Sequence, residues 1–85
     1  MKRRVVITGV GLVTPLGIGA ASSWHQLCSG VSGIGLITRF DTSNYGVKIA
    51  AEVKDFSAED YFDKKAIKYL DLFVQYGLVA AREAL

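Results

Sequence analysis

The sequence predicts an α/β fold, and three observations carry that prediction. Residues 4–10 form an almost unbroken apolar, β-branched run; residues 47–54 alternate apolar and polar; and an apolar helical period runs from Lys65 to Leu85. A strand apolar on successive residues is covered on both faces, as in sheets sandwiched by helices. Alternation marks a strand wetted on one face.

In chain order, Arg4 to Val10, with Val5, Val6, Ile7 and Thr8, is expected as the doubly buried strand. Gly9 and Gly11 allow tight backbone approach, and Pro15 with Gly17 marks a turn towards a helix. From Ala20 to Ser29 the sequence predicts a short amphipathic helix, with Ala20, Trp24, Leu27 and Cys28 on its apolar stripe and Gly30 placed to end it. Gly30 to Tyr45 is rich in Gly, Asp, Ser and Asn and is expected to be mostly loop, anchored by Ile34, Leu36, Ile37 and Phe40. Val47, Ile49, Ala51 and Val53 then alternate with Lys48, Ala50, Glu52 and Lys54, the pattern of a half-wetted strand.

Ser57, ahead of Glu59 and Asp60, is placed to cap a helical turn. Asp63-Lys64-Lys65 leads into one long helix, Lys65 to Leu85, whose stripe is Ile67, Leu70, Val74, Leu78, Ala81 and Leu85. Leu72, Phe73, Tyr76, Val79 and Ala80 carry its apolar surface almost all the way round, which marks a buried helix. There are no internal repeats and no low-complexity tract.

Composition bounds the function classes. Eighty-five residues make at most one small domain, yet 51% are hydrophobic and 21% charged, more apolar than a free-standing soluble domain of this size needs. No Gly, Asn or Pro stop signal accompanies Ala84-Leu85, and the other residues cannot bury a helix apolar on all sides; the expectation is a piece of a larger fold. No apolar run reaches the roughly 18 to 20 residues of a membrane span. Met1-Lys2-Arg3-Arg4 ahead of Val5-Val6-Ile7 has the charge of a leader, but Thr8-Gly9 and Pro15 interrupt the apolar region and no cleavage site follows. The lone Cys28 excludes an internal disulfide and fits a reducing, cytoplasmic compartment. A formal net charge of +2 gives no reason to expect nucleic-acid or membrane binding.

Three constellations bear on chemistry. Gly9-Val10-Gly11 after a strand partly matches a dinucleotide fingerprint, but Thr14 stands where the third glycine belongs, Pro15 follows, and the acid expected about 20 residues on is absent. Glycines for close packing are the better reading. Cys28 lies three residues from His25, a spacing at which a thiol and imidazole can meet on a helix, yet Cys28 falls on the apolar stripe as a small hydrophobe and His25 is expected to be partly exposed. Lys64, Lys65 and Lys68 cluster at the start of the long helix beside Tyr69, either as a solvated face or as a docking patch for an acidic partner. The sequence offers no paired carboxylates with an obvious common pocket, no Gly-rich phosphate loop with a lysine and no metal-ligand cluster. Neither a metal nor an organic cofactor is expected.

The order of features adds more than any one of them. Arg3-Arg4-Val5-Val6-Ile7-Thr8-Gly9-Val10-Gly11 followed by Thr14-Pro15-Leu16-Gly17 closely resembles the opening of the β-ketoacyl-acyl-carrier-protein synthases. Trp24, Ser32-Gly33-Ile34, Phe40-Asp41-Thr42-Ser43, Val53-Lys54-Asp55-Phe56 and Asp71-Leu72-Phe73-Val74-Gln75-Tyr76 continue the resemblance in order, and the elongating synthases of fatty-acid synthesis are the most similar. The resemblance implies that residues 1–85 are the incomplete amino-terminal part of the family's N-terminal domain, within a thiolase-like layered α/β/α/β/α fold. It also implies a homodimeric enzyme that joins an acyl chain to malonyl-carrier protein by decarboxylative Claisen condensation. In that family a cysteine takes the acyl chain and two histidines assist decarboxylation. None of those positions matches Cys28 or His25, so this segment alone is expected to be inactive.

Basic residues at the start of the long helix dock the acyl carrier protein in that family, which corresponds here to Lys65 and Lys68, with Lys64 adjacent. Tyr69 departs from the pattern, standing where a basic residue is common, and Leu70 stands where methionine is common. Two sibling readings share this opening, the ketosynthase of aromatic polyketide assembly and its chain-length partner. From other classes come a small non-catalytic module binding an acidic partner, which requires the chain to fold alone, and an NAD-dependent oxidoreductase fragment.

Overall fold

The computed structural model describes residues 2–85; Met1, the first residue of the stretch weighed above as a leader, lies outside them. Val13–Thr14 (β1) and Gly17–Ile18 (β2) form an antiparallel hairpin, Val13 opposite Ile18 and Thr14 opposite Gly17, with Pro15 and Leu16 as its loop. The Thr14 hydroxyl secures the turn by accepting the backbone N–H groups of Leu16 and Gly17, each at 3.2 Å. It lies 2.8 Å from the Ser23 hydroxyl, and both reach the Gly17 carbonyl oxygen at 3.1 Å.

Ser23 belongs to α1, Ala20–Cys28, which packs against this hairpin. The helix ends as its sequence predicts. Gly30 adopts φ +74°, donating its N–H to the Leu27 carbonyl, and Val31 donates to Gln26, both at 3.1 Å, the paired bonds of a glycine-terminated helix. The buried face differs from expectation: Ser23 is enclosed, whereas Trp24 is 65% exposed, and Leu27 and Cys28 are exposed too. The hairpin supplies hydroxyl and carbonyl partners for the Ser23 side, and no described residue encloses the Trp24 side. An apolar groove of about 320 Å³ remains there, lined in part by Leu16, Trp24, Leu27 and Val31.

The expected loop holds a short strand, β3 (Ile34–Leu36), which pairs antiparallel with β4 (Ile49–Ala51), Ile34 opposite Ala51 and Leu36 opposite Ile49. The half-wetted strand thus forms over its central part, but its apolar set is not covered: Val47 and Ile49 are exposed, as are the supposed anchors Ile34, Leu36 and Phe40. A two-stranded ribbon with no helix laid on that face has nothing to bury them against. Arg39 ties the ribbon to the helical half by donating to the Val53 carbonyl (3.1 Å) and the Tyr76 hydroxyl (2.9 Å).

The long helix is two helices. α2 covers Lys64–Tyr69 and α3 covers Leu72–Ala84, with Leu70 extended (φ −108°, ψ 120°) and Asp71 as the N-cap of α3. An aspartate favours a cap over a helix interior, and the Gln75 amide donates to the freed Leu70 carbonyl at 3.0 Å. The enclosed residues of α3 are Gln75 and Val79, one position round from the expected stripe; Leu78, Ala81 and Leu85 of that stripe are exposed. Ser57 does cap a turn, a 3₁₀ turn at Ala58–Asp60, though its hydroxyl bonds the Glu59 carboxylate (3.1 Å) rather than the backbone.

The expected first strand is the clearest correction. Residues 2–12 pair with no strand, and Val5 is 91% exposed. A strand covered on both faces needs a neighbouring strand and two helical layers, which the described residues do not supply. The glycine reading holds. A Cβ at Gly9 would collide with the Ala84 carbonyl oxygen and one at Gly11 with that of Ala80, so this segment crosses α3 at backbone contact. Leu12 follows, donating its N–H to the Glu83 carboxylate at 2.9 Å.

Packing is sparse throughout. The radius of gyration is 16.2 Å, where a compact domain of this length has roughly 12 Å. The accessible surface is 7018 Å², about 2,100 Å² above that of a compact monomer of equal mass. Val79, at 7% exposure, is the one enclosed hydrophobic side chain among the described residues.

Candidate functional site

The three lysines singled out by the sequence come together on α2. Asp63 starts that helix, its carboxylate accepting the Ala66 N–H at 2.8 Å. At about 100° per residue, Lys64, Lys68, Lys65 and Tyr69 follow one another round one arc of about 140°, and Ala66, Leu70 and Ile67 fill the opposite arc. Exposure divides the same way: the first four are exposed, Tyr69 to 87%, and the other three are partly covered.

Aromatic residues set the position of this helix. Phe62, just ahead of it, lies under the Arg82 guanidinium, 4.9 Å from ring centroid to charge, and Arg82 also donates to the Tyr61 carbonyl at 2.9 Å. Phe56 stacks on Tyr61 (5.6 Å) and meets Tyr76 edge-on (4.9 Å). Arg82 and Tyr76 both belong to α3, so the segment leading into α2 is fastened to the longer helix.

The lysines of the patch are not tied down by direct partners. None of Lys64, Lys65 and Lys68 forms an ion pair or side-chain hydrogen bond among the described residues, where the single ion pair joins Arg39 and Glu52 at 3.8 Å. The Glu59 carboxyl is held below its ordinary value by a backbone N–H and by the Ser57 hydroxyl, with the Lys64 charge adding to the pull. Three exposed cations on one short arc can attract an acidic surface.

The other candidates do not assemble. Cys28 and His25 are both exposed with no hydrogen bond between thiol and imidazole among the described residues, and Ser29 takes up the His25 carbonyl. Cys28 also closes α1 at its C-terminal end, whereas a helix dipole favours an anion at the N-terminal end. Gly9 and Gly11 face α3 backbone, with no room for a pyrophosphate. Glu83 was missed by the sequence reading: it accepts the N–H groups of Leu12 (2.9 Å) and Ala20 (3.0 and 2.9 Å), which lowers its pKa and puts a carboxylate at the N-terminus of α1. A lone glutamate 63 residues from the helix it caps carries no local signal.

Residues 2–85 match the family model described as Beta-ketoacyl synthase, N-terminal domain. The chain belongs to that family. Curated proteins named 3-oxoacyl-[acyl-carrier-protein] synthase 2 are similar over nearly all of it: the one from Staphylococcus aureus (strain COL) is 48% identical over 98% of this chain, that from Vibrio cholerae 48% over 99%, and that from Coxiella burnetii 49% over 98%. The chain spans 20% of the length of each of these relatives. As a β-ketoacyl synthase segment it is a mixture of helices and strands, and no helix among the described residues is long and apolar enough to cross a membrane.

Proposed function

We propose that this chain acts as part of a larger, carrier-protein-dependent condensing enzyme of fatty-acid elongation. In that enzyme a malonyl group on its carrier loses CO₂, and the resulting carbanion attacks the acyl carbonyl of a cysteine thioester, forming the carbon-carbon bond as the C–S bond breaks and the cysteine thiolate leaves. The family match over residues 2–85 carries this reading. The incomplete packing supports it, because about 2,100 Å² of surplus surface is what a standard protein interface or more would cover, and α3 and the 4–10 run offer apolar surface for a thiolase-like layered arrangement to enclose. Catalysis belongs to residues other than Cys28 and His25, so the 85 residues alone are inactive. Cytoplasmic location and a homodimer of the full-length protein belong to the same proposal.

The role assigned to this segment is docking. Lys64, Lys65 and Lys68 form the surface that meets acidic residues of the acyl carrier protein, whose phosphopantetheine arm delivers the substrate. The K65E/K68E double variant of the full-length protein should associate more slowly and more weakly with acyl carrier protein at low salt, with the difference shrinking as salt screens it. Unchanged association at low salt would refute the docking role.

A further inference from the structure

The alternation of residues 47–54 sets Lys48, Ala50 and Glu52 on one face of β4 and its flanks, the face its pattern assigns to water. Both charged members of that face turn to the chain instead. Glu52 accepts the N–H (3.2 and 3.3 Å) and the hydroxyl (2.9 Å) of Thr38, at the start of the loop that joins β3 to β4. Lys48 folds its ammonium into the far side of the same loop, donating to the carbonyl oxygens of Thr42 and Tyr45 at 2.9 Å each and to that of Ser43 at 3.5 Å. Three donors meet three acceptors, which is all that an ammonium can hold.

The tip of this loop has little else to hold it. Ile37 closes the stem by donating to the Lys48 carbonyl at 2.9 Å, which leaves residues 38–47 as a connection well beyond the roughly 2 to 5 residues usual between paired strands. Of these residues Thr42 alone is partly covered, so burial contributes little. Two turn bonds remain at the tip, Ser43 N–H to the Asp41 carboxylate (3.0 Å) and Tyr45 N–H to the Thr42 carbonyl (2.9 Å), with an edge-on contact of the Phe40 and Tyr45 rings at 5.6 Å. A segment with few buried contacts and exposed hydrogen bonds opens easily. Bonds from a charged donor are roughly twice as strong as neutral ones, so the ammonium is the strongest tie the tip has.

We infer that Lys48 is an internal cation that shapes this loop: its ammonium gathers the Thr42, Ser43 and Tyr45 carbonyls and so fixes the tip, with the Phe40–Tyr45 ring pair, against the strand that carries it. The base of the loop is tied separately through Glu52. These contacts lie wholly within residues 37–52, so they do not depend on what covers the exposed apolar faces elsewhere in the chain.

The test is amide hydrogen exchange of the full-length protein, read by mass spectrometry in the parent and two variants. Lys48→Met keeps the aliphatic stem and removes the ammonium. Lys54→Met removes the same charge from the same face, where the lysine donates a single bond, to the Gly33 carbonyl at 3.3 Å. Lys48→Met should speed exchange of residues 42–47 about tenfold, about 1.4 kcal/mol of opening free energy, while residues 34–37 and 49–51 keep the protection of the parent. Lys54→Met should leave residues 42–47 at the parent rate. Unchanged exchange of the tip in Lys48→Met would overturn the inference, and so would equal opening in both variants, which would trace the effect to net charge. Loss of protection in β3 and β4 together with the tip would overturn it as well, because Lys48 would then hold the ribbon and not the loop. The parent gives a check that needs no variant: residues 42–47 exchanging at the rate of an unstructured peptide would show that nothing holds the tip.

Discussion

Expressed alone, the 85-residue chain should not unfold cooperatively. The perturbation is the removal of whatever covers its apolar surface, and its size follows from the areas. The surplus of about 2,100 Å² over a compact monomer, taken as half apolar, corresponds at ~25 cal/mol per Å² to about 25 kcal/mol of missing hydrophobic driving force. A stable domain of this length retains a net of only about 4 to 13 kcal/mol. The deficit exceeds that margin even after a 40% reduction for a compact unfolded state. The assay is thermal unfolding followed by near-ultraviolet circular dichroism, with Trp24 and the four tyrosines reporting fixed packing, alongside calorimetry. A weak near-ultraviolet signal and a broad drift are expected. A sharp transition with an enthalpy near the ~60 kcal/mol of a fully packed chain this long would refute the reasoning and favour an independent module that binds an acidic partner.

The remaining predictions concern the full-length protein. Charge reversal at Lys65 and Lys68 weakens carrier association at low salt, as set out above. Gly11→Ala drives a methyl into the Ala80 carbonyl and should cost about 1 to 3 kcal/mol or more, while Gly30→Ala meets open space and bears just the left-handed backbone cost of about 1 to 2 kcal/mol; denaturant midpoints in the reverse order would contradict the contact with α3. Glu83 should titrate below the ordinary glutamate value of 4.5, since the Ala20 and Leu12 N–H groups favour its charged form. Its stabilising effect is therefore complete above 4.5 and fades as pH falls through the lower folded value. A carboxyl midpoint at or above 4.5 by NMR would argue against the cap on α1.

Local chemistry was legible in the sequence, and enclosure was not. Gly30 ends α1 where its position says it must, because a left-handed glycine is a property of a few adjacent residues. The 47–54 alternation yields a strand, and Gly9 and Gly11 mark a close crossing, again because backbone sterics are read one residue at a time. Which face is covered depends on partners distant in sequence. Trp24 and Leu27 lie on the apolar stripe of α1 yet stand exposed, since the hairpin occupies the Ser23 side. Val5 to Ile7 have the sequence of a doubly buried strand and no layers around them. The lysines are legible because charge density and helical spacing are local; that their arc with Tyr69 is the exposed one depends on packing.

The break at Leu70–Asp71 links the fold to the proposed docking patch. In an unbroken helix from Lys64 to Leu85, residues seven and eleven apart return to nearly the same direction, so Gln75 and Val79 would lie in line with Lys68 and Lys64. Those two α3 residues are enclosed, so continuing the helix straight would turn the lysines towards the same interior. The apolar stripe read from the sequence obeys the same geometry from the other side: Ile67 and Leu70 face inward on α2, but their continuations Leu78, Ala81 and Leu85 face outward on α3. One straight helix cannot satisfy both segments. Interrupting it for two residues lets α2 present its cations and Tyr69 to solvent while α3 keeps Gln75 and Val79 enclosed and lays Ala80 and Ala84 against the backbone of Gly11 and Gly9. The outward apolar stripe of α3 is then free to be covered, as the proposed larger enzyme requires, so an apolar helix and an exposed cationic face can be written next to each other in one stretch of 22 residues.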